Sequence, residues 1–151
     1  MTNPIPDAYR AVTPYLIVKN AGSAIDFYKQ VFDAREAVRL NGPDGKVMHA
    51  EIRIGDAPVM IADEFPDMGY VGPQSLGGST VSLLLYVNDV DAVFKQALAA
   101  GAIEKMPVAD QFDGDRRGTL ADPFGHVWLL ATRKEDISRE EMQKRFEAMM
   151  Q

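Results

Sequence analysis

Thr13-Pro-Tyr-Leu-Ile-Val-Lys-Asn20, followed by Ser23-Ala-Ile-Asp-Phe-Tyr-Lys-Gln-Val-Phe32, decides the fold because the chain runs through the same order twice. The first piece is a short apolar run of strand character, and in the second Ile25, Tyr28 and Phe32 recur at helical spacing. In the second half, Ser82-Leu-Leu-Leu-Tyr-Val-Asn-Asp89 leads into Val90-Asp-Ala-Val-Phe-Lys-Gln-Ala-Leu98. There Val90, Val93, Phe94, Ala97 and Leu98 form one apolar helix face. Both helices carry Lys-Gln, at 29–30 and 95–96, and aligning those pairs makes the strand-to-helix loop shorter in the second copy.

Working outward, each helix is followed by a strand, near Glu36 to Leu40 and Ile103 to Pro107, and then by a hairpin. The first hairpin is Val47 to Ile54, Gly55-Asp56, Ala57 to Ala62; the second turns at Asp122-Pro-Phe-Gly125, between Gly118 to Ala121 and His126 to Ala131. The expected fold is therefore α+β: two tandem βαβββ modules, 10–62 and 81–132, within one domain. The segment 63–80, with Gly77-Gly78, reads as a mobile linker. The tail 133–151 opens on the capping box Ser138-Arg-Glu-Glu141 and carries Met142, Phe146, Met149 and Met150 on one side of a short helix. That stripe has to cover either the body of the chain or a partner.

Composition narrows the function. The 151 residues are 46% hydrophobic, enough for a real core. A net charge of −6 has the wrong sign for nucleic acid or anionic membrane. The absence of cysteine removes disulfides, thiolate metal sites and cysteine nucleophiles, and fits a cytoplasmic setting. The N-terminus lacks the basic start and apolar run of a secretory signal, and no stretch reaches the length of a membrane span. Gly-x-Gly-x-x-Gly, P-loop, Gly-x-Ser-x-Gly and His-Glu-x-x-His patterns are missing, which sets aside dinucleotide, phosphoryl-transfer and serine-hydrolase chemistry.

The two βαβββ copies, the opening Thr-Pro-Tyr-Leu-Ile-Val, the middle Met48-His-Ala-Glu-Ile-Arg-Ile-Gly-Asp56 and the closing Gly-Asp-Arg116, Asp122-Pro-Phe-Gly-His126 and Trp128 resemble the vicinal oxygen chelate superfamily of glyoxalases, bleomycin-resistance proteins and dioxygenases. The resemblance is strongest to its PhnB-like, glyoxalase-related branch. It implies a curved mixed sheet around a ligand cup, a homodimer, and in metal-dependent members four ligands on the first and last strands of the modules. Those positions fall on Thr13, Met60, Ser82 and Leu129, none of them a His or carboxylate, so no metal cofactor is expected. Leu84 stands where many relatives have His, and Asp113 where they have an aromatic.

Strand alternation then assigns faces. Met48, Ala50, Ile52 and Ile54 are expected beneath the helix, with His49, Glu51 and Arg53 facing the cup. Thr13, Tyr15 and Ile17 face it from the first strand, and Ser82, Leu84 and Tyr86 from its counterpart. His126 reads as hairpin structure and Trp128 as core. Arg116 is either an anchor for an anionic ligand group or the partner of Asp113 or Asp115. Two functions are compatible with these residues. The first is metal-free binding of a small organic molecule by Thr13, Tyr15, Arg53, Met60, Ser82, Leu84, Tyr86, Arg116 and Leu129. The second is a glyoxalase-like lyase or isomerase using His49 and Glu51 as catalytic groups, with or without a divalent metal. A weaker third is a partner-binding protein using the methionine-rich tail.

Overall fold

A computed structural model describes residues 2–9 and 11–151, so Arg10, where the first module is expected to open, lies outside the described residues, as does Met1. The chain forms two compact units, Met1–Gly78 and Ser79–Gln151. The first contains β1 (Tyr15–Val18), α1 (Ala21–Phe32), β2 (Arg35–Asn41), β3 (Val47–Ile54) and β4 (Ala57–Asp63), with sheet order β1-β4-β3-β2. The second contains β5 (Ser82–Tyr86), α3 (Val90–Ala99), β6 (Ile103–Asp110), β7 (Asp115–Ala121) and β8 (Val127–Arg133), ordered β5-β8-β7-β6, then α4 (Arg139–Met149). In each sheet the first and last strands pair in parallel and the others antiparallel. The α+β duplication is thus realised as two four-stranded mixed sheets and a C-terminal helix.

Helix entry is built alike in both copies. Asn20 Oδ1 accepts from the Ser23 N–H and Asp89 Oδ1 from the Ala92 N–H, each at 3.1 Å. Satisfying these otherwise orphaned donors fixes where the helices begin. Residues 19–20 join β1 to α1 and residues 87–89 join β5 to α3, so the strand-to-helix loop is not shorter in the second copy, contrary to the alignment of the Lys-Gln pairs. The second copy is instead shorter at its helix C-terminus, with 10 residues in α3 against 12 in α1.

Each helix covers one sheet face. Ile25 and Tyr28 of α1 pack with Ile52 and Ile61, all fully buried, and each buried aliphatic side chain contributes about 1.5–3 kcal/mol. In the second unit Val90, Phe94, Leu120, Trp128 and Leu130 fill that role. Asp122, 2% exposed, organises the second hairpin by accepting from the Phe124 and His126 N–H groups and, at 2.9 Å, from Trp128 Nε1.

Two expectations need correction. Met48 is 46% exposed and Val47 is buried in its place. The cause is a β-bulge: Leu40 pairs with His49 but Asn41 with Val47, so Met48 is the extra residue and turns to the opposite face. The segment 63–80 is also more than a linker. Asp63 ends β4, Phe65 bridges Tyr70, a 3₁₀ turn spans Pro66–Met68, and α2 (Pro73–Leu76) follows. Glu64 holds this segment folded, accepting from the Gly72 N–H at 2.7 Å and the Ser75 hydroxyl at 2.6 Å.

Candidate functional site

The face of the first sheet away from α1 carries the candidate site. Register places Tyr15 beside Met60, Met60 beside Glu51 and Glu51 beside Val38, one row across all four strands. His49 stands two residues before Glu51 on the same face. Its Nε2 lies 3.2 Å from Glu51 Oε1 and its Nδ1 2.8 Å from the Tyr15 hydroxyl. A carboxylate only accepts, so Nε2 donates to Glu51, and in the neutral ring Nδ1 is the acceptor for the Tyr15 hydroxyl. Tyr9 donates its hydroxyl to Glu51 Oε2, and the Arg53 guanidinium stacks over the Tyr9 ring at 5.2 Å.

The electrostatics follow from these contacts. The Tyr9 hydroxyl is the main cause holding the Glu51 carboxyl below the ordinary carboxylate range, against a desolvation that pushes it up; His49 and Arg53 assist. Burial of the ring raises the Tyr15 phenol above its usual value, with Tyr70 and Glu51 adding to the shift.

Beside Tyr15 lies a recess of about 460 Å³, lined by Tyr15, Ile17, Met48, Ala62, Asp63, Phe65, Met68 and Tyr70. Its floor is the β1–β4 edge of the sheet and its side is the folded segment after β4. Asp63 brings no free charge to it, because Oδ1 accepts from the Ala21 N–H at 2.8 Å and Oδ2 from the Val47 N–H at 2.7 Å. The lining is therefore aromatic, aliphatic and thioether.

In the second unit, Ser82, Leu84 and Tyr86 share the face away from α3, and Leu84 pairs with Leu129, which pairs with Thr119. Tyr86 donates to Asp115 at 2.6 Å, which raises its phenol pKa. Arg117, not Arg116, is the cation on this face, held by Asp113 at 2.9 Å and Asp115 at 3.3 Å. Arg116 alternates to the helix side, where Asp91 of α3 binds it at 2.8 and 3.0 Å and Asp110 at 3.1 Å. The expected Arg116 partners, Asp113 and Asp115, thus serve its neighbour instead. Thr13 precedes β1 and contacts the Ala11 carbonyl at 3.4 Å.

The fit to a divalent ion can be judged from the donors. Thr13 and Ser82 offer hydroxyls, Met60 a thioether and Leu129 no donor, whereas such ions are held by imidazole, carboxylate or thiolate. Among the described residues no three His, Cys, Asp or Glu side chains converge. These residues do not fit the metal of the metal-dependent members.

Sequence reading missed Tyr9, Met48, Phe65, Met68, Tyr70 and Arg117. Large apolar residues inside an assumed linker were the one available signal, for Phe65, Met68 and Tyr70. Nothing in the sequence announces the bulge at Met48 or the reach of Tyr9 to Glu51.

The sequence profile of the Glyoxalase/Bleomycin resistance protein/Dioxygenase superfamily matches residues 10–130, and the chain belongs to that superfamily. It is 47% identical over 136 residues to protein Mb0911c of Mycobacterium bovis, covering 88% of this chain and 90% of that protein. Among solved structures it is similar to PA1353 from Pseudomonas aeruginosa, with TM-score 0.67 and 25% identity over 82% of this chain and 98% of that one. It also resembles the PhnB protein from Bacillus cereus, with TM-score 0.66 and 22% identity over 82% and 99% of the two chains. Among the described residues no helix is long and apolar enough to cross a membrane.

Proposed function

We propose that this protein binds a small, largely apolar organic molecule in the recess of its first unit, without a metal ion. The observation that carries the reading is the volume of about 460 Å³ lined by Tyr15, Ile17, Met48, Phe65, Met68 and Tyr70. Ligand pockets are commonly of this size, mostly apolar, with few polar groups to fix orientation. Tyr15 and Tyr70 supply those groups here, and the methionines adapt to irregular shapes. Arg53, Ser82, Leu84, Tyr86 and Leu129 lie outside this recess, so their place in ligand binding rests on the family resemblance.

The test is thermal shift against a panel of aromatic and heteroaromatic compounds. A binder at about 100 times its Kd stabilises by about 2.7 kcal/mol. A hit that is lost in Tyr70→Ala, and kept in Tyr86→Ala, supports the recess; hits unaffected by Tyr70→Ala refute it. The reading includes a cytoplasmic homodimer with no nucleic-acid or membrane partner, and light scattering that returns a monomer removes the dimer. A second reading, an isomerase or lyase, is favoured by one observation, the hydrogen-bonded chain Tyr15–His49–Glu51.

A further inference from the structure

We propose that a recess of about 450 Å³ in the second unit, between the turn that joins β6 to β7 and the segment that leads from β8 into α4, binds a small zwitterion of the α-amino acid class. It shares no residue with the recess of the first unit and does not rest on the binding reading above. The carboxylates of Asp110, Asp115 and Glu135 and the cations of Arg116, Lys134 and Arg145 line it, and among the described residues no apolar side chain does. A lining that bears both signs in equal number is complementary to a ligand that carries both charges, rather than to an apolar molecule or to an ion of one sign.

The charged groups are held in place and still have bonds to offer. Arg116 gives two N–H groups to Asp91, at 2.8 and 3.0 Å, and one to Asp110 at 3.1 Å; Arg145 gives one to Glu135 at 2.7 Å and one to Glu141 at 3.1 Å. A guanidinium has more donors than either arginine uses here. Lys134 is exposed and makes no hydrogen bond or ion pair among the described residues, so its ammonium is open. Asp110 and Glu135 each commit one oxygen to these arginines and keep the other, with side chains 79% and 51% exposed. Ion pairs made beforehand leave fewer side chains to order when a ligand arrives. The ligand carboxylate therefore meets Lys134 and the spare guanidinium N–H groups, and its ammonium meets Asp110 and Glu135.

The backbone brings the walls together. The Gly114 carbonyl accepts from the Lys134 and Glu135 N–H groups at 2.9 and 3.0 Å, clamping the turn onto the segment after β8. A Cβ on Gly114 would stand 2.8 Å from the Glu135 carbonyl oxygen, and its φ of +90° lies in the left-handed region, so glycine is what allows this approach. α4 has no buried residue, and Arg145 is what it contributes to the site.

The test is nitrogen-15 NMR of the full chain titrated with the polar L-amino acids (serine, threonine, asparagine, glutamine, aspartate, glutamate, histidine, lysine and arginine) at millimolar concentration. At least one is expected to give saturable shifts at the amides of Gly114, Arg116 and Lys134. Its N-acetyl derivative lacks the ammonium and its C-terminal amide lacks the carboxylate, and each is expected to bind at least about 10-fold more weakly. Lys134→Ala removes an exposed side chain that holds nothing in the fold, and is expected to weaken binding about 10-fold, with Lys134→Arg keeping most of the affinity. No saturable shift with any of these amino acids overturns the site. An N-acetyl derivative or an amide that binds as tightly as its parent, or an affinity indifferent to Lys134→Ala, overturns it as well.

Discussion

Asp63→Ala is expected to remove a large part of the stability, and the structure sets the size of the effect. The side chain is 7% exposed and its two oxygens accept from the Ala21 and Val47 N–H groups at 2.8 and 2.7 Å. Ala21 is the first residue of α1 and Val47 the first of β3, so one carboxylate joins helix entry to the strand that carries His49 and Glu51. A hydrogen bond to a charged group contributes about 1.5–3 kcal/mol, and losing both strands two N–H groups away from water, for about 3–5 kcal/mol in all. Small domains hold only about 5–15 kcal/mol. Asp63→Asn keeps one acceptor and should lose about half as much. Thr132 is the counterpart in the second unit, accepting from the Val90 N–H at 2.9 Å and donating to the Val87 carbonyl at 2.7 Å. Its bonds are neutral, so Thr132→Val should cost only about 1–3 kcal/mol. Urea titration followed by far-UV circular dichroism measures all three. A loss below about 1 kcal/mol for Asp63→Ala, or a larger loss for Thr132→Val, would refute the argument.

Tyr9→Phe removes the main cause of the lowered Glu51 pKa. A carboxyl held low in the folded state stabilises it fully above the unfolded pKa and loses that contribution as pH falls through the folded one; the acid limb below about pH 4.3 should therefore be shallower in Tyr9→Phe, and carboxyl carbon NMR should show Glu51 titrating higher. Gly72→Ala places a Cβ 2.7 Å from the Ile17 carbonyl and 3.2 Å from Val18 Cα. Backbone must move, at a cost of about 1–3 kcal/mol by thermal melting, and any ligand of the recess should weaken with it. Phe146→Ala loses a ring contact with Phe112 at 5.4 Å. Because α4 has no buried residue, the loss should stay under about 2 kcal/mol when unfolding is followed by the fluorescence of Trp128, the only tryptophan.

The duplication and most strand positions were legible because period-two and helical patterns are strong in both copies. His49, Glu51 and Tyr15 were legible as a shared face for the same reason. What was not legible is what depends on one-residue shifts or on distant chain meeting chain. The bulge that turns Met48 outward leaves alternation from Ala50 to Ile54 intact, so the sequence carries no break to notice. Arg116 and Arg117 are adjacent, and only the pairing of β7 with β8 decides which joins Tyr86 and which joins α3. The folded segment after β4 was hidden by glycines and prolines that equally suit a linker; Glu64, its internal acceptor, is an ordinary surface residue by type.

The repeat also supplies a control that the protein carries within itself. By register, Leu84 and Thr119 occupy in the second sheet the places of Tyr15 and Glu51 in the first, since each pair flanks the partner residue Leu129 or Met60. Two residues before Thr119 stands Arg117, where the first sheet has His49. One scaffold thus presents a hydroxyl, an imidazole and a carboxylate in one copy, and a leucine, a guanidinium and a threonine in the other. Arg117 is locked by Asp113 and Asp115 and offers only donors, so it cannot stand in for the acceptor nitrogen of an imidazole. The hydrogen-bonded chain of hydroxyl, imidazole and carboxylate is therefore set in the first unit by side-chain chemistry rather than by backbone. Installing Leu84→Tyr with Thr119→Glu and Arg117→His should build a second hydrogen-bonded chain of hydroxyl, imidazole and carboxylate, seen as a second imidazole N–H protected from exchange in nitrogen-15 NMR. If no second protected N–H appears, matching strand positions are not sufficient, and Tyr9 becomes the missing part to transplant.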